Sequence, residues 1–362
     1  MSICDQSLSY VRAISAYQAG KPMTELAREM GIPVDSIVKL ASNENPLGMS
    51  PKAQAALEKA VASLARYPDD FGLKQALAEH TGLGMERIVL GNGSNDVLDL
   101  VARVFLAPGR SAIFAQHSFA VYPLASQSVG ADLIAVPAKD FGHDLDAMRA
   151  AIRPDTRLIW IANPNNPTGT FLPYPQLKAF LQTVPADVVV VLDEAYNEYL
   201  SASERVNTTT WVTEFPNLVI TRTFSKIYGL AGLRVGYALT SAGIADLMNR
   251  VRQPFNCNNL ALAAATAALD DDDFVARSYA LNRAGMEQLL AGFKRLGLKH
   301  IPSHGNFIAF KAGDAALVDQ KLLKQGVIVR TIAAYGMPEW LRVTIGTEAE
   351  NARFLVALEK SL

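Results

Sequence analysis

The chain has 362 residues, half of them hydrophobic, enough for one large or two ordinary domains with cores of their own. Its 34 Lys and Arg against 35 Asp and Glu leave a net charge of −1, which gives neither nucleic acid nor an anionic membrane an electrostatic reason to bind. The two cysteines, Cys4 and Cys257, stand far apart and offer neither a disulfide framework nor a cysteine metal site. The opening MSICDQSLSY lacks the basic-then-apolar profile of a secretory signal. The longest clean apolar run, Leu260–Leu269, falls short of the ~20 residues of a membrane span. A soluble cytoplasmic protein is the expectation.

Residues 1–50 read as irregular apart from a helix around Pro22–Met30. The stretch KLASNENPLGMS (Lys39–Ser50) is broken by Asn43, Asn45, Pro46 and Gly48, so it is a loop, either a site-bearing one or a turn before the next helix. Pro51 suits the first position of a helix running to about Leu64. ARYPDDFG (Ala65–Gly72) is a turn that holds Tyr67 next to Pro68. After another helix comes a strand, Ile88–Leu90, and then GNGSNDVLDLVARVF. Gly91 and Gly93 break the chain there, and Ser94, Asn95 and Asp96 open a helix whose free N–H groups suit a phosphate or simply a cap. The stretch matches neither a P-loop nor a dinucleotide glycine fingerprint.

From Arg110 to about Tyr237 strands alternate with helices: Ala112–Ala115, Leu133–Val136, Leu158–Ala162, Val188–Leu192, Leu218–Thr221 and Val235–Leu239, with helical patterns such as Leu145–Ile152 and Tyr174–Thr183 between them. The strand runs are apolar on both faces, as strands sandwiched between helix layers are. That pattern is an α/β fold with a mostly parallel, doubly wound sheet, and ligands of such sheets lie beyond the strand carboxyl ends. Those ends carry Phe119, then NPNNPTG (Asn163–Gly169), then Asp193-Glu194-Ala195-Tyr196, then Ser225-Lys226. Each has a bland reading alone, as a cap, a turn or core. Together they put two carboxylates, a tyrosine, asparagines and a lysine on one edge.

Beyond Leu239 a long helical stretch, Ala242–Asp270, is interrupted by Arg252–Asn256 and ends in the acidic run Asp270–Asp273, read as a solvated junction. Residues 274–362 alternate helices with strands at Ile308–Phe310, Val327–Val329 and Leu341–Ile345, a smaller α+β unit. Within the last strand, Arg342 needs an anionic partner or an exposed face. Three units follow: an arm at 1–50 that also contributes to the small domain, a large domain at 51–240, and a small domain at 241–362.

Lys226 organises the rest. A lysine just past a buried strand loses hydration, its pKa falls, and its neutral amine can form a Schiff base with a carbonyl compound.

The ordered set NENPLG (Asn43–Gly48), RYPD (Arg66–Asp69), GNGS (Gly91–Ser94), NPNNPTG, DEAY (Asp193–Tyr196), Ser225-Lys226 with Arg234, and LRVTIG (Leu341–Gly346) resembles the histidinol-phosphate aminotransferases. These are fold-type I enzymes of the aspartate aminotransferase superfamily. The resemblance covers nearly the whole chain and implies a large domain binding pyridoxal 5'-phosphate and a smaller α+β domain. It implies that Lys226 carries the cofactor and moves the substrate proton, that Asp193 pairs with the pyridine nitrogen, and that Tyr196 and Asn166 donate to the phenolic oxygen. Phe119 stacks on the ring where tyrosine is commoner. Gly93, Ser94, Asn95, Thr223, Ser225 and Arg234 hold the phosphate, joined by Tyr67 from the neighbouring subunit of a homodimer. Arg342 takes the substrate carboxylate with Asn45 nearby, while Tyr17, Asn256 and Arg330 line the side-chain pocket.

The implied reaction converts histidinol phosphate and 2-oxoglutarate to imidazole-acetol phosphate and glutamate. Transamination of aromatic amino acids and decarboxylation of the threonine-phosphate type stay open. A non-catalytic relative would have lost Lys226 or Asp193. A Ser-Lys hydrolase lacks the spacing of partners. Pro302 and Gly305 break the His300–His304 spacing, so no metal is expected.

Overall fold

The computed structural model describes residues 2–16 and 20–362; the expected pocket residue Tyr17 lies outside them. Among the described residues twelve strands occur: β1 (Val38–Lys39), β2 (Ile88–Gly91), β3 (Ser111–Ala115), β4 (Asp132–Val136), β5 (Thr156–Ala162), β6 (Val189–Asp193), β7 (Leu218–Thr223), β8 (Gly236–Thr240), β9 (Phe307–Lys311), β10 (Val327–Ile328), β11 (Arg330–Thr331) and β12 (Trp340–Thr344). Seven form one sheet in the order β2-β8-β7-β6-β5-β3-β4. Pairings among β3 to β7 are parallel, and only β8 runs antiparallel to its neighbours. The mostly parallel α/β fold expected from the alternation is therefore present, and the carboxyl ends of β3, β5, β6 and β7 share one edge.

Alternation along each strand sends side chains to two separate cores. In β5, Ile159 and Ile161 join the cluster that includes Leu73, Leu77 and Trp211. Leu158 and Trp160 join the opposite one, with Val97, Val101 and Met248. Each fully buried aliphatic side chain contributes roughly 1.5–3 kcal/mol. Trp160 satisfies its buried indole by donating Nε1–H to Ser126 Oγ at 3.0 Å, and Tyr122 stacks on it at 5.2 Å.

A third core gathers Phe293, Phe310, Phe354, Leu341 and Val343 around a three-stranded sheet, β11-β12-β9. Strand β1 pairs with β10 in parallel, Val38 opposite Val327, and so threads the amino-terminal segment into this core. The irregular reading of residues 1–50 missed β1 because two residues carry no period. The helix at Pro51 ends at Ala60 and tightens into a 3-10 turn, Val61–Ser63. The acidic run is the helix junction read from sequence, with Asp270, Asp272 and Asp273 exposed. Asp271 alone is buried and caps the helix Asp272–Arg295, its carboxylate accepting from Phe274 N.

Candidate active site

At the strand ends, the chain turns polar side chains into a cavity of about 210 Å³. Lys226 stands three residues past β7, partly buried, with Nζ donating to Ser42 O at 3.2 Å. Burial lowers its pKa to about 8; the nearby charges of Arg342 and Arg234 act the same way, and those of Glu44 and Asp193 oppose. Asp193 closes β6 and is buried. Tyr122 Oη donates to Asp193 Oδ2 at 2.8 Å and Ala195 N donates to Oδ1 at 3.2 Å. Burial pushes the Asp193 carboxyl up, and these two donors restrain the rise. Desolvation and the adjacent carboxylate raise Tyr122 further, so it stays a protonated donor.

Only one carboxylate of the Asp-Glu pair faces the cavity. Glu194, the next residue in the extended run, turns to the opposite side. There Arg222 grips it through Nε at 3.0 Å and Nη2 at 2.8 Å, with Thr208 and Tyr174 donating as well. The expectation of two carboxylates at one edge fails for this reason. Glu194 is a buried structural ion, fully bonded, that ties the ends of β6 and β7 together.

The cationic end is built on bare backbone. Gly93 has φ 82° and precedes the helix Ser94–Phe105, whose first N–H groups have no partner within the helix. A Cβ on Gly93 would lie 2.2 Å from Arg234 Nη2, so the guanidinium rests directly across that backbone. Arg234 is itself left-handed, φ 59°, with Nη1 donating to Ala231 O at 3.0 Å and to Ser225 Oγ at 3.3 Å. Helix start, guanidinium and the hydroxyls of Thr223 and Ser225 form a cradle for a dianion.

The outer wall comes from distant sequence. Arg342 on β12 pairs in register with Arg330 on β11, and both line the cavity. Arg342 is 6% exposed; it donates to Asn166 Oδ1 and, at 2.7 Å, to Ala41 O, and its guanidinium lies 5.2 Å from the Phe307 ring centre. A guanidinium can only donate, so Asn166 must present its oxygen to Arg342, leaving Nδ2 as the donor on its other side. Tyr196 is buried, which raises its pKa to about 12, and its hydroxyl accepts from Asn43 Nδ2 at 2.9 Å.

Of the expected cofactor residues, Ser94, Asn95, Phe119, Asn166, Asp193 and Tyr196 line this one cavity, together with Thr223, Ser225, Lys226 and Arg234. Arg330 and Arg342 join them from the substrate set. Asn45 does not: its amide is spent on Ile227 O at 2.7 Å and Ser278 Oγ at 2.9 Å. Asn256 is likewise engaged, donating to Asp96 Oδ2 at 2.8 Å and Leu90 O at 3.1 Å. Tyr67 is 79% exposed and stacks on Phe255 at 4.6 Å. The residues overlooked in sequence are Ser42, Asn43, Tyr122 and Tyr335. Tyr122 had a usable signal, three residues past Phe119 on the same helical start.

A dianion cradle at one end, a buried carboxylate at the other and an amine between them fit pyridoxal 5'-phosphate. The Arg234 guanidinium laid over Gly93 is the feature that decides the fit, since any side chain there would displace it.

Comparison with known proteins agrees. A family model described as "Aminotransferase class I and II" matches residues 35–358. A histidinol-phosphate aminotransferase 1 of Dechloromonas aromatica is 74% identical over the full length of both chains. One from Thiobacillus denitrificans is 61% identical, over all of this chain and 96% of the other. Among solved structures, the Sinorhizobium meliloti histidinol-phosphate aminotransferase in complex with pyridoxal-5'-phosphate superposes with TM-score 0.91, at 27% identity, covering 98% of this chain and 97% of that one. A Thermus thermophilus aspartate aminotransferase variant, 22% identical with TM-score 0.84 and covering 98% of this chain and all of that one, shares the fold.

Proposed function

The chain belongs to the class I and II aminotransferases, within them to the histidinol-phosphate aminotransferase family, and from that premise we propose the roles of its residues and its substrates. It is a pyridoxal-phosphate-dependent aminotransferase. The reading is that histidinol phosphate gives its amine and 2-oxoglutarate receives it. One observation carries the substrate assignment: Arg330 and Arg342 stand cross-strand on one cavity wall. Two adjacent guanidinium groups suit the phosphate of one substrate and, in the second half-reaction, a carboxylate of the other.

When bound, the cofactor supplies the electron sink that makes the substrate α-proton removable. Lys226 holds the cofactor before substrate enters, and its released amine takes and returns the proton at the α-carbon. Burial, with the charges of Arg342 and Arg234 beside it, lowers that amine's pKa to about 8. A far larger share of it is then neutral near physiological pH than for a solvated lysine, as a base requires. Asp193, anchored by Tyr122 and Ala195, keeps a proton at the ring nitrogen. Asn166 Nδ2 and the Tyr196 hydroxyl donate to the phenolic oxygen, and Phe119 covers the ring. Ser94, Asn95, Thr223, Ser225 and Arg234 hold the phosphate.

Part of the same proposal is a homodimer in which Tyr67 enters the neighbouring cavity. Val61, Leu64, Tyr67, Phe71 and Phe255 are all exposed, an apolar patch that water disfavours and a second copy would cover. No described helix is long and apolar enough to cross a membrane, and we read the setting as cytoplasmic. The division into a large and a small domain, near residues 51–240 and 241–362 with the arm at 1–50, belongs to the proposal too; the separate third core supports it.

The test is an amino-donor panel with purified protein: histidinol phosphate, phenylalanine and tyrosine with 2-oxoglutarate as acceptor, and glutamate with imidazole-acetol phosphate for the reverse direction. Histidinol phosphate should give the highest kcat/KM. A higher value for phenylalanine or tyrosine would overturn the substrate assignment.

A further inference from the structure

Three consecutive residues of the amino-terminal loop each hold one side chain of the cavity. Ala41 O accepts from Arg342, Ser42 O accepts from Lys226, and Asn43 Nδ2 donates to Tyr196 Oη. The third contact differs from the others because it fixes the direction of a proton. We infer that Asn43 is a positioning residue that aims the Tyr196 hydroxyl proton into the cavity; the inference rests on the reading that this hydroxyl donates to the cofactor's phenolic oxygen.

The orientation follows from counting donors. Asn43 N–H donates to Thr344 Oγ1 at 2.9 Å. That hydroxyl, already an acceptor there, turns its own proton to Asn43 Oδ1 at 3.2 Å. With its oxygen held by Thr344, the Asn43 amide must present Nδ2 to Tyr196. The tyrosine oxygen is then the acceptor of that bond, and its single proton points elsewhere. Among the described residues no acceptor for that proton is recorded, and Tyr196 lines the cavity. An unassisted tyrosine could rotate its proton toward any neighbour; here one rotamer is selected.

The backbone explains why asparagine is the residue for the task. Asn43 sits at φ 56°, in the left-handed region that asparagine tolerates and most side chains resist. Its carbonyl is also pinned, accepting from Asn306 Nδ2 at 3.0 Å. Glycine would accept the same backbone but bring no donor. Aspartate would keep the shape and reverse the bond, accepting the tyrosine proton and drawing it away from the cavity.

The experiment titrates the visible absorption of the bound cofactor against pH in the purified holoenzyme. A donor to the phenolic oxygen stabilises its negative charge and weakens its hold on the proton of the lysine-bound nitrogen, so losing the donor moves the midpoint up. Tyr196→Phe should raise it by roughly one pH unit or more, the size expected for a hydrogen bond to a charged oxygen. Asn43→Asp should raise it comparably, and Asn43→Gly by less. In the double variant with Tyr196→Phe, Asn43→Asp should add nothing.

Each alternative outcome counts against the inference. If Tyr196→Phe moves the midpoint while both Asn43 variants titrate like the parent, Asn43 does not position the hydroxyl and the role of Tyr196 stands. A shift from Asn43→Asp that persists beside Tyr196→Phe would come from the new charge and would also overturn it. An unmoved midpoint in Tyr196→Phe overturns both readings. Should Asn43→Asp fail to hold cofactor, Asn43→Gly and Thr344→Val carry the test. Thr344→Val frees the amide to turn and should raise the midpoint in part.

Discussion

One wall of the cavity is assembled from short stretches of chain: Asp193 ends β6, Ser225 and Lys226 follow β7, and Asn166 lies four residues past β5. The facing wall joins residues 301 positions apart, Asn43 to Thr344 and Ala41 to Arg342. The first wall needs only the parallel sheet to bring its members together, since every strand end delivers its successor to the same edge. The second needs the amino-terminal loop to reach β12 across the whole molecule. The difference predicts a division of labour. Changes in the strand-end wall should strike the chemistry, and changes in the facing wall should strike binding and proton direction.

The largest effect belongs to Lys226→Ala. It should abolish the visible cofactor band and lower kcat by at least the roughly 10²–10⁴-fold that proton transfer contributes. A variant with the parent's spectrum would break the assignment of this wall. Asp193→Asn should come next, at roughly 10²-fold in kcat from lost charge stabilisation, with thermal unfolding little changed; comparable activity would remove its role. On the facing wall, Arg342→Lys should raise KM for anionic substrates about tenfold while kcat moves less. An ammonium cannot reach both Asn166 and Ala41 as the fork does. An effect confined to kcat would erase the distinction between the walls.

Two smaller effects sharpen it. Tyr122→Phe removes one donor from the buried Asp193, worth about 1 kcal/mol or roughly fivefold in kcat; activity equal to the parent would mean that the remaining donor suffices. The pH profile of cofactor capture offers a gentler probe. Because Lys226 is lowered to about 8 from the ordinary 10.5, its amine is cationic below that pH and neutral above it. Capture by the cofactor-free protein should accelerate as pH rises through about 8 and then level. A rise continuing to about 10.5 would show a solvated lysine.

The same contrast explains how much could be read from sequence. Lys226, Asp193 and Asn166 stand where hydrophobic runs give way to polar ones, so alternation alone brought them to one edge. The fold class followed from that alternation as well. Glu194 misled because its side chain lies on the other side of an extended strand, and its partner Arg222 is 28 residues away. Asn45 and Asn256 looked like site residues by resemblance, yet both amides serve buried backbone and side-chain partners near the cavity. Asn43 was legible only as a loop-former, because its value depends on Thr344. Arg330 and Arg342 become neighbours only through the antiparallel register of β11 and β12.

The most direct measurement is the chemical identity of the residue that holds the cofactor. The holoenzyme would be reduced with borohydride, digested, and the modified peptide sequenced by mass spectrometry. The expected result is a single pyridoxyl group on Lys226, with none recovered after Lys226→Ala. A modified lysine elsewhere in the sequence, or an unmodified Lys226 peptide from fully reduced protein, would contradict the account.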